Sequence, residues 1–103
     1  MKEIVDDVER WRAQGERVAV ATVVATRKSA PRAVGAKFAV SESGQMCGSV
    51  SGGCVENDVF EHARRVIETG EPQLLSYGIS DDEALTVVLP CGGEIDLFVE
   101  RLD

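Results

Sequence analysis

The residues of this 103-residue chain best suited to chemistry are three cysteines, one histidine and two glycine pairs. Cys54 directly follows Gly52-Gly53, and Cys91 directly precedes Gly92-Gly93, so a thiol stands beside a glycine pair at two separate places. The first lies in Gly48-Ser49-Val50-Ser51-Gly52-Gly53-Cys54-Val55-Glu56, where a β-rich apolar segment runs into a glycine turn and a helical pattern begins at once. Glycine lets the backbone approach a ligand closely and take positive φ at little steric cost. The N–H groups that open the following helix have no intrahelical partner. With the helix dipole they favour an anion such as phosphate, and the same field favours the thiolate form of Cys54. An anion cradle and a soft nucleophile therefore coincide.

Three chemistries could use this arrangement. Zinc through Cys47, Cys54, Cys91 and His62 would lack the C-x₂₋₄-C knuckle common at structural zinc sites. A redox pair of Cys54 with Cys91 would lack C-x-x-C spacing and would have to be assembled in space. Alternatively, one or both thiolates face a bound anionic cofactor that carries a soft metal or a transferable sulfur. Buried cysteines beside tight turns are the structural alternative, and Cys47, inside a strand pattern, fits that description best. No P-loop, G-x-G-x-x-G or Ser-His-Asp pattern is present. Spacing alone leads to an anion-binding α/β domain with reactive thiols.

The elements that must position these groups follow from hydrophobic periodicity. Residues 3–14 read as an amphipathic helix with Ile4, Val5, Val8, Trp11 and Arg12 at helical spacing, stopped by Gly15. Val8 and Trp11 are expected to pack, with nothing ligand-like beside Trp11. Residues 17–26 are β-branched and nearly continuous in apolar character, as in a strand buried on both faces at the centre of a sheet. Residues 27–37 then carry four cations and no acid, and Pro31 makes the segment a loop. Arg32 there is suited to fork onto a phosphate or carboxylate. Residues 36–41 and 45–50 form a hairpin about Glu42-Ser43-Gly44. A helix over 54–69 has Val55, Val59, Phe60, Ala63, Val66 and Ile67 as its stripe and ends at Gly70-Glu71-Pro72.

Glu56 would either cap that helix in the manner of a capping box or hold a ligand. His62 falls on its polar side and is expected to be exposed. Residues 73–78 read as a strand, Ser80 and Glu83 as the cap of a short helix, and Thr86–Leu89 and 94–100 as further strands. Asp81 and Asp82 are not needed for the cap and stay candidates for ligand contact. The expected fold class is α/β, close to α+β: a mixed sheet of about five strands with two main helices.

Length sets a prior of one domain at roughly 100–200 residues per domain. Hydrophobic residues make up 44% and charged residues 28%, which is globular, and the net charge of −7 argues against binding nucleic acid or an anionic membrane. The acidic N-terminus does not resemble a signal peptide. The longest apolar stretch, Val18 to Ala25, falls far short of the ~20 residues that span a bilayer. A cytoplasmic protein with reduced thiols is expected.

Ser29-Ala30-Pro31-Arg32, Gly35-Ala36, the Gly48–Glu56 stretch, Tyr77-Gly78-Ile79-Ser80-Asp81-Asp82-Glu83-Ala84 and Cys91-Gly92-Gly93 together resemble the N-terminal domain of the XdhC/CoxI family. The resemblance runs from the first strand to the last. It implies an accessory factor for molybdenum hydroxylases such as xanthine dehydrogenase and carbon monoxide dehydrogenase. Such a factor binds the molybdopterin-type molybdenum cofactor, protects it while its terminal sulfur is installed, and hands it to the apo-enzyme. It is a maturation chaperone more than a turnover enzyme. The implied cofactor-binding residues are Arg32, Ser49, Ser51, Gly52, Gly53, Cys54, Glu56, Asp81, Cys91, Gly92 and Gly93. Cys54 would be the thiolate that approaches molybdenum or its sulfur, with Cys91 second to it. Implied partners are the hydroxylase client, a cysteine desulfurase, a Rossmann-like partner chain and further copies of this chain.

The pattern departs from the family twice. Residues 1–103 are expected to form one domain without the Rossmann-like second half of larger relatives, and Val87-Val88 stand where the family often has a glycine. The rival expectation is a small thiol-dependent redox or sulfur-transfer enzyme using Cys54. A regulatory module without a ligand is the third.

Overall fold

The computed structural model describes residues 4–27, 33–51, 55–78 and 94–102. Its elements are α1 (Val5–Ala13), β1 (Val18–Arg27), β2 (Lys37–Ser41), β3 (Met46–Gly48), α2 (Glu56–Thr69), β4 (Gln73–Tyr77) and β5 (Glu94–Leu102). The expected helix over 80–83, the strand over 86–89 and the turn at Cys91 lie outside the described residues.

The five strands form one sheet in the order β3-β2-β1-β5-β4, and the expected two helices pack against it. Each described pairing is antiparallel, where a mixed sheet was expected. The reason lies in the α2 crossover. It joins β3 to β4, which run in the same direction, as a helical crossover should. Those strands are the two opposite edges of the sheet, so no parallel neighbours result.

β1 sits at the centre, as its composition predicts, and its side chains alternate between two cores. Ala19, Ala21 and Val23 join Phe38, Val40, Ile95, Leu97 and Val99 under the α2 stripe. Val18 and Val20 join Ala39 beneath Ile4, Val8 and Trp11 on the other face. Two-faced burial covers only the first half of the strand. At a register shift between Val23 and Ala25, Val24 is 45% exposed.

α2 buries Val59, Ala63, Val66 and Ile67, with Phe60 packed partly against them. Full burial of a valine or isoleucine side chain contributes about 1.5–3 kcal/mol, so this stripe is what docks the helix. Gly70 ends it in the left-handed conformation (φ 75°), and the Arg101 guanidinium donates to the Ile67 carbonyl at 3.1 Å.

Two side chains have company that the sequence did not suggest. Trp11 is buried as expected, but its indole N–H donates to Gln45 Oε1 at 3.1 Å. His62 is half-buried instead of exposed, because Gln73 at the start of β4 and Asp58 one helical turn back flank its ring.

Candidate functional site

The candidate site begins where β3 stops. Gly48 has φ 80°, and a Cβ there would collide with the Lys37 carbonyl and come within 2.7 Å of Ile4 Cγ2, so only glycine lets the chain turn off the sheet here. Ser49 N–H then donates to the Lys37 carbonyl at 2.9 Å, and Val50 and Ser51 bury themselves completely or nearly so.

Glu56, the first residue of α2, folds its carboxylate back over this turn. Oε2 accepts from Ser49 Oγ at 3.0 Å, from Val50 N–H at 2.9 Å and from Ser51 N–H at 2.9 Å. Oε1 accepts a short hydrogen bond from Ser51 Oγ. Ser51 Oγ in turn accepts from Val55 N–H at 2.9 Å. Partial burial works to raise the Glu56 pKa, but the bonds from the Ser51 hydroxyl, the Ser51 and Val50 amides and the Ser49 hydroxyl outweigh it and bring the pKa down to about 2. The carboxylate is thus ionised at any ordinary pH.

The clasp occupies the Ser51 N–H, which belongs to a residue implied to bind the cofactor. The donors of residues 49–51 converge on a protein carboxylate, five to seven residues further on. Glu56 does reach back, to the hydroxyls and amides of the preceding turn; the Gly53 amide that capping-box spacing suggests lies outside the described residues. Ser49, Ser51 and Glu56, each an implied cofactor-binding residue, are thus brought together by hydrogen bonds among themselves. Gly52, Gly53 and Cys54 lie outside the described residues. Their two flanks, Ser51 and Val55, are tied to each other by the Oγ–N bond. Arg32, Asp81, Cys91, Gly92 and Gly93 also lie outside the described residues.

Cys47 is placed differently. It packs partly buried beneath α1, on the sheet face opposite α2. Burial first, then the Asp7 carboxylate, push its pKa up to about 11, so it stays a protonated thiol. That separation takes Cys47 away from His62 on α2, and among the described residues no group of three His, Cys, Asp or Glu could hold a metal ion. A recess of about 170 Å³ lined by Arg17, Glu42, Arg64, Ile67 and Glu68 contains none of the implied site residues. It is smaller than the roughly 300–1,000 Å³ of ordinary ligand pockets.

Sequence reasoning missed a polar chain beside the clasp. Tyr77, buried at the end of β4, donates its hydroxyl to Asp58 Oδ2 at 2.6 Å. Burial, and then the Asp58 carboxylate, raise the tyrosine pKa, so the hydroxyl keeps its proton. His62 Nε2 lies 3.6 Å from the same Asp58 oxygen, and His62 Nδ1 is 2.9 Å from Gln73 Oε1. The i, i+4 spacing of Asp58 and His62 was a readable signal. The Asp58–Tyr77 pair, nineteen residues apart, had none.

Among the described residues no helix is long and apolar enough to cross a membrane. A model of the XdhC and CoxI family matches residues 11–78, which include the whole Ser49–Glu56 clasp. The molybdenum cofactor insertion chaperone PaoD of Escherichia coli K12 is 38% identical over 88 residues, covering 85% of this chain and 27% of that protein. A probable xanthine dehydrogenase subunit from Bacillus subtilis 168 is 32% identical over 89 residues, covering 84% of this chain and 27% of that protein. In three dimensions the chain is similar to the crystal structure of a xanthine dehydrogenase from Bacillus halodurans, with a TM-score of 0.78 and 27% identity over 98% of this chain and 31% of that one. The chain therefore spans about a quarter of the length of those two curated relatives (27% of each). The family match takes in both the clasp and the Asp58–Tyr77 pair, and the chain belongs to the XdhC and CoxI family.

Proposed function

We propose that this chain serves in the maturation of molybdenum hydroxylases, binding the molybdopterin-type cofactor and supporting its sulfuration and insertion into an apo-enzyme of the xanthine dehydrogenase or carbon monoxide dehydrogenase type. The observation that carries the reading is the clasp: Ser49, Ser51 and Glu56 fix the two flanks of Gly52-Gly53-Cys54 in a chain 38% identical to a cofactor insertion chaperone.

The donor chemistry of this segment fits such a group. Two glycines without side chains leave room for a close backbone approach, and a cysteine is a soft ligand of the kind that suits a sulfur-bound metal. The cofactor, when bound, supplies the molybdenum and dithiolene on which the client's chemistry depends. The chain's own residues divide the remaining work. Glu56 and the two serines hold the turn, Cys54 offers the thiolate, and Gly52 and Gly53 offer backbone N–H groups. Arg32, Asp81 and the Cys91-Gly92-Gly93 segment complete the set as phosphate, pterin or second-thiol contacts. In this reading the chain works in the cytoplasm with the hydroxylase, a cysteine desulfurase and a Rossmann-like partner chain, as a homo-oligomer.

Reconstitution tests it. Apo-xanthine dehydrogenase is incubated anaerobically with cofactor and a sulfide source, with and without this chain. The expected result is faster recovery of hydroxylase activity with the chain, and loss of that gain with Cys54→Ser. Equal recovery with and without the chain would contradict the proposal.

A further inference from the structure

The first turn of α2 carries two carboxylates that serve different parts of the molecule. Glu56 reaches back to residues 49–51. Asp58 reaches across to β4, where it accepts from the Tyr77 hydroxyl at 2.6 Å, a distance typical of a charge-assisted O–H···O⁻ bond. A buried tyrosine hydroxyl needs a partner, and Tyr77 is only 4% exposed. From Asp58 the chain of polar contacts continues to His62 and on to Gln73, so both ends of β4 are linked to α2.

Apart from the Arg101 bond to the Ile67 carbonyl near the other end of the helix, the remaining docking of α2 among the described residues is mainly apolar. Val59, Ala63, Val66 and Ile67 lie on the sheet, and such contacts are non-directional, tolerating small slides and rolls of a helix. A hydrogen bond between a buried phenol and a carboxylate is directional. It stands within the same helical turn as Glu56, where a small roll would move the clasp's acceptor away from its donors.

From this arrangement we infer that Asp58 and Tyr77 are positioning residues: their hydrogen bond holds the first turn of α2 in register with the end of β4, and so keeps the Glu56 clasp and the cofactor-binding turn in place. The functional half of this inference rests on the reading of that turn as the cofactor site; the mechanical half does not.

The test reads both halves separately. Tyr77→Phe keeps the ring and removes the hydroxyl, Asp58→Ala removes the acceptor, and Asp58→Asn keeps one acceptor oxygen. Amide hydrogen exchange is followed at Val50, Ser51 and Val55, with Ala19 and Ala21 of β1 as internal references. In Tyr77→Phe and Asp58→Ala the clasp amides are expected to exchange about tenfold faster while the β1 amides keep their rates. The double variant should be no worse than either single one, and Asp58→Asn should stay close to wild type. Molybdenum-cofactor affinity should fall about tenfold in Tyr77→Phe, in step with the lost local protection. Unchanged clasp protection, a uniform rise that includes Ala19 and Ala21, or additive effects in the double variant would each overturn the tie. Wild-type protein that binds no cofactor, with clasp exchange changing as expected, would overturn the reading of the site and leave the tie standing. Wild type and Tyr77→Phe binding cofactor equally well would overturn the positioning role.

Discussion

Two turns bracket β3, and both fold carboxylates onto backbone amides. In the hairpin before it, Glu16 Oε1 accepts from Ser43 N–H at 2.8 Å and Glu42 Oε1 from Arg17 N–H at 3.0 Å. Glu42 also pairs with the Arg17 guanidinium at 3.3 Å. The bonds from Ser43 lower the Glu16 pKa, and the Arg17 amide lowers that of Glu42. In the turn after β3, one half-buried carboxylate, Glu56, takes the Ser49 and Ser51 hydroxyls and the Val50 and Ser51 amides. The interaction is the same in kind. What differs is how many donors share one acceptor and how far water is kept out, and those two factors decide strength. The hairpin fastens the α1–β1 corner to β2 at the surface. The clasp ties residues 49–51 to the first turn of α2.

The comparison is broken most severely at Glu56. Glu56→Ala leaves the Ser49 and Ser51 hydroxyls and the Val50 and Ser51 amides without their acceptor, with an expected loss of about 2–4 kcal/mol. Urea unfolding measures it, and a loss no larger than that of a surface substitution would show that the clasp adds nothing. The same carboxylate gives a pH signature. Its folded pKa lies below the ordinary 4.5, so its stabilisation is fully present above that value and is lost as pH falls toward about 2. Wild type should lose stability across that window relative to Glu56→Gln, which has no group to titrate there. Parallel pH profiles of the two proteins would contradict the assignment.

The two glycines at the turns give a second contrast. Gly48→Ala meets both a left-handed φ of 80° and a collision with the Lys37 carbonyl, and should cost about 2–3 kcal/mol. Gly44→Ala has φ 96° but finds only Phe60 Cζ at 3.8 Å, so the backbone preference alone applies, about 1 kcal/mol. Equal melting temperatures for the two variants would remove the steric argument. The smallest effect belongs to Glu42→Ala. Its exposed pair with Arg17 should leave melting almost unchanged, and less changed still in high salt.

The sequence was legible where periodicity was strong. The α2 stripe, the apolar run of β1 and the hairpin at Gly44 stand where the pattern puts them. Strand direction was less readable. An apolar run buried on both faces fits parallel and antiparallel sheets alike, and here the two-faced burial comes from α1 on one side and α2 on the other. A turn leading into a helix let Glu56 be read as a residue that reaches back, and its contact with Ser49 and Ser51 came only with the structure. That Glu56 would take donors from Ser49, Val50 and Ser51 was not readable, because those residues lie beyond the local capping spacing. Asp58 and Tyr77 meet only through the docking of α2 on the sheet, a tertiary fact with no local signal.

The central proposal is that the segment flanked by the Glu56 clasp presents Cys54 to the molybdenum cofactor. Equilibrium binding of that cofactor to the protein under anaerobic conditions tests it most directly, with wild type beside Cys54→Ser. Tight stoichiometric binding that the substitution weakens is the predicted result. No binding, or binding that Cys54→Ser leaves unchanged, would contradict it.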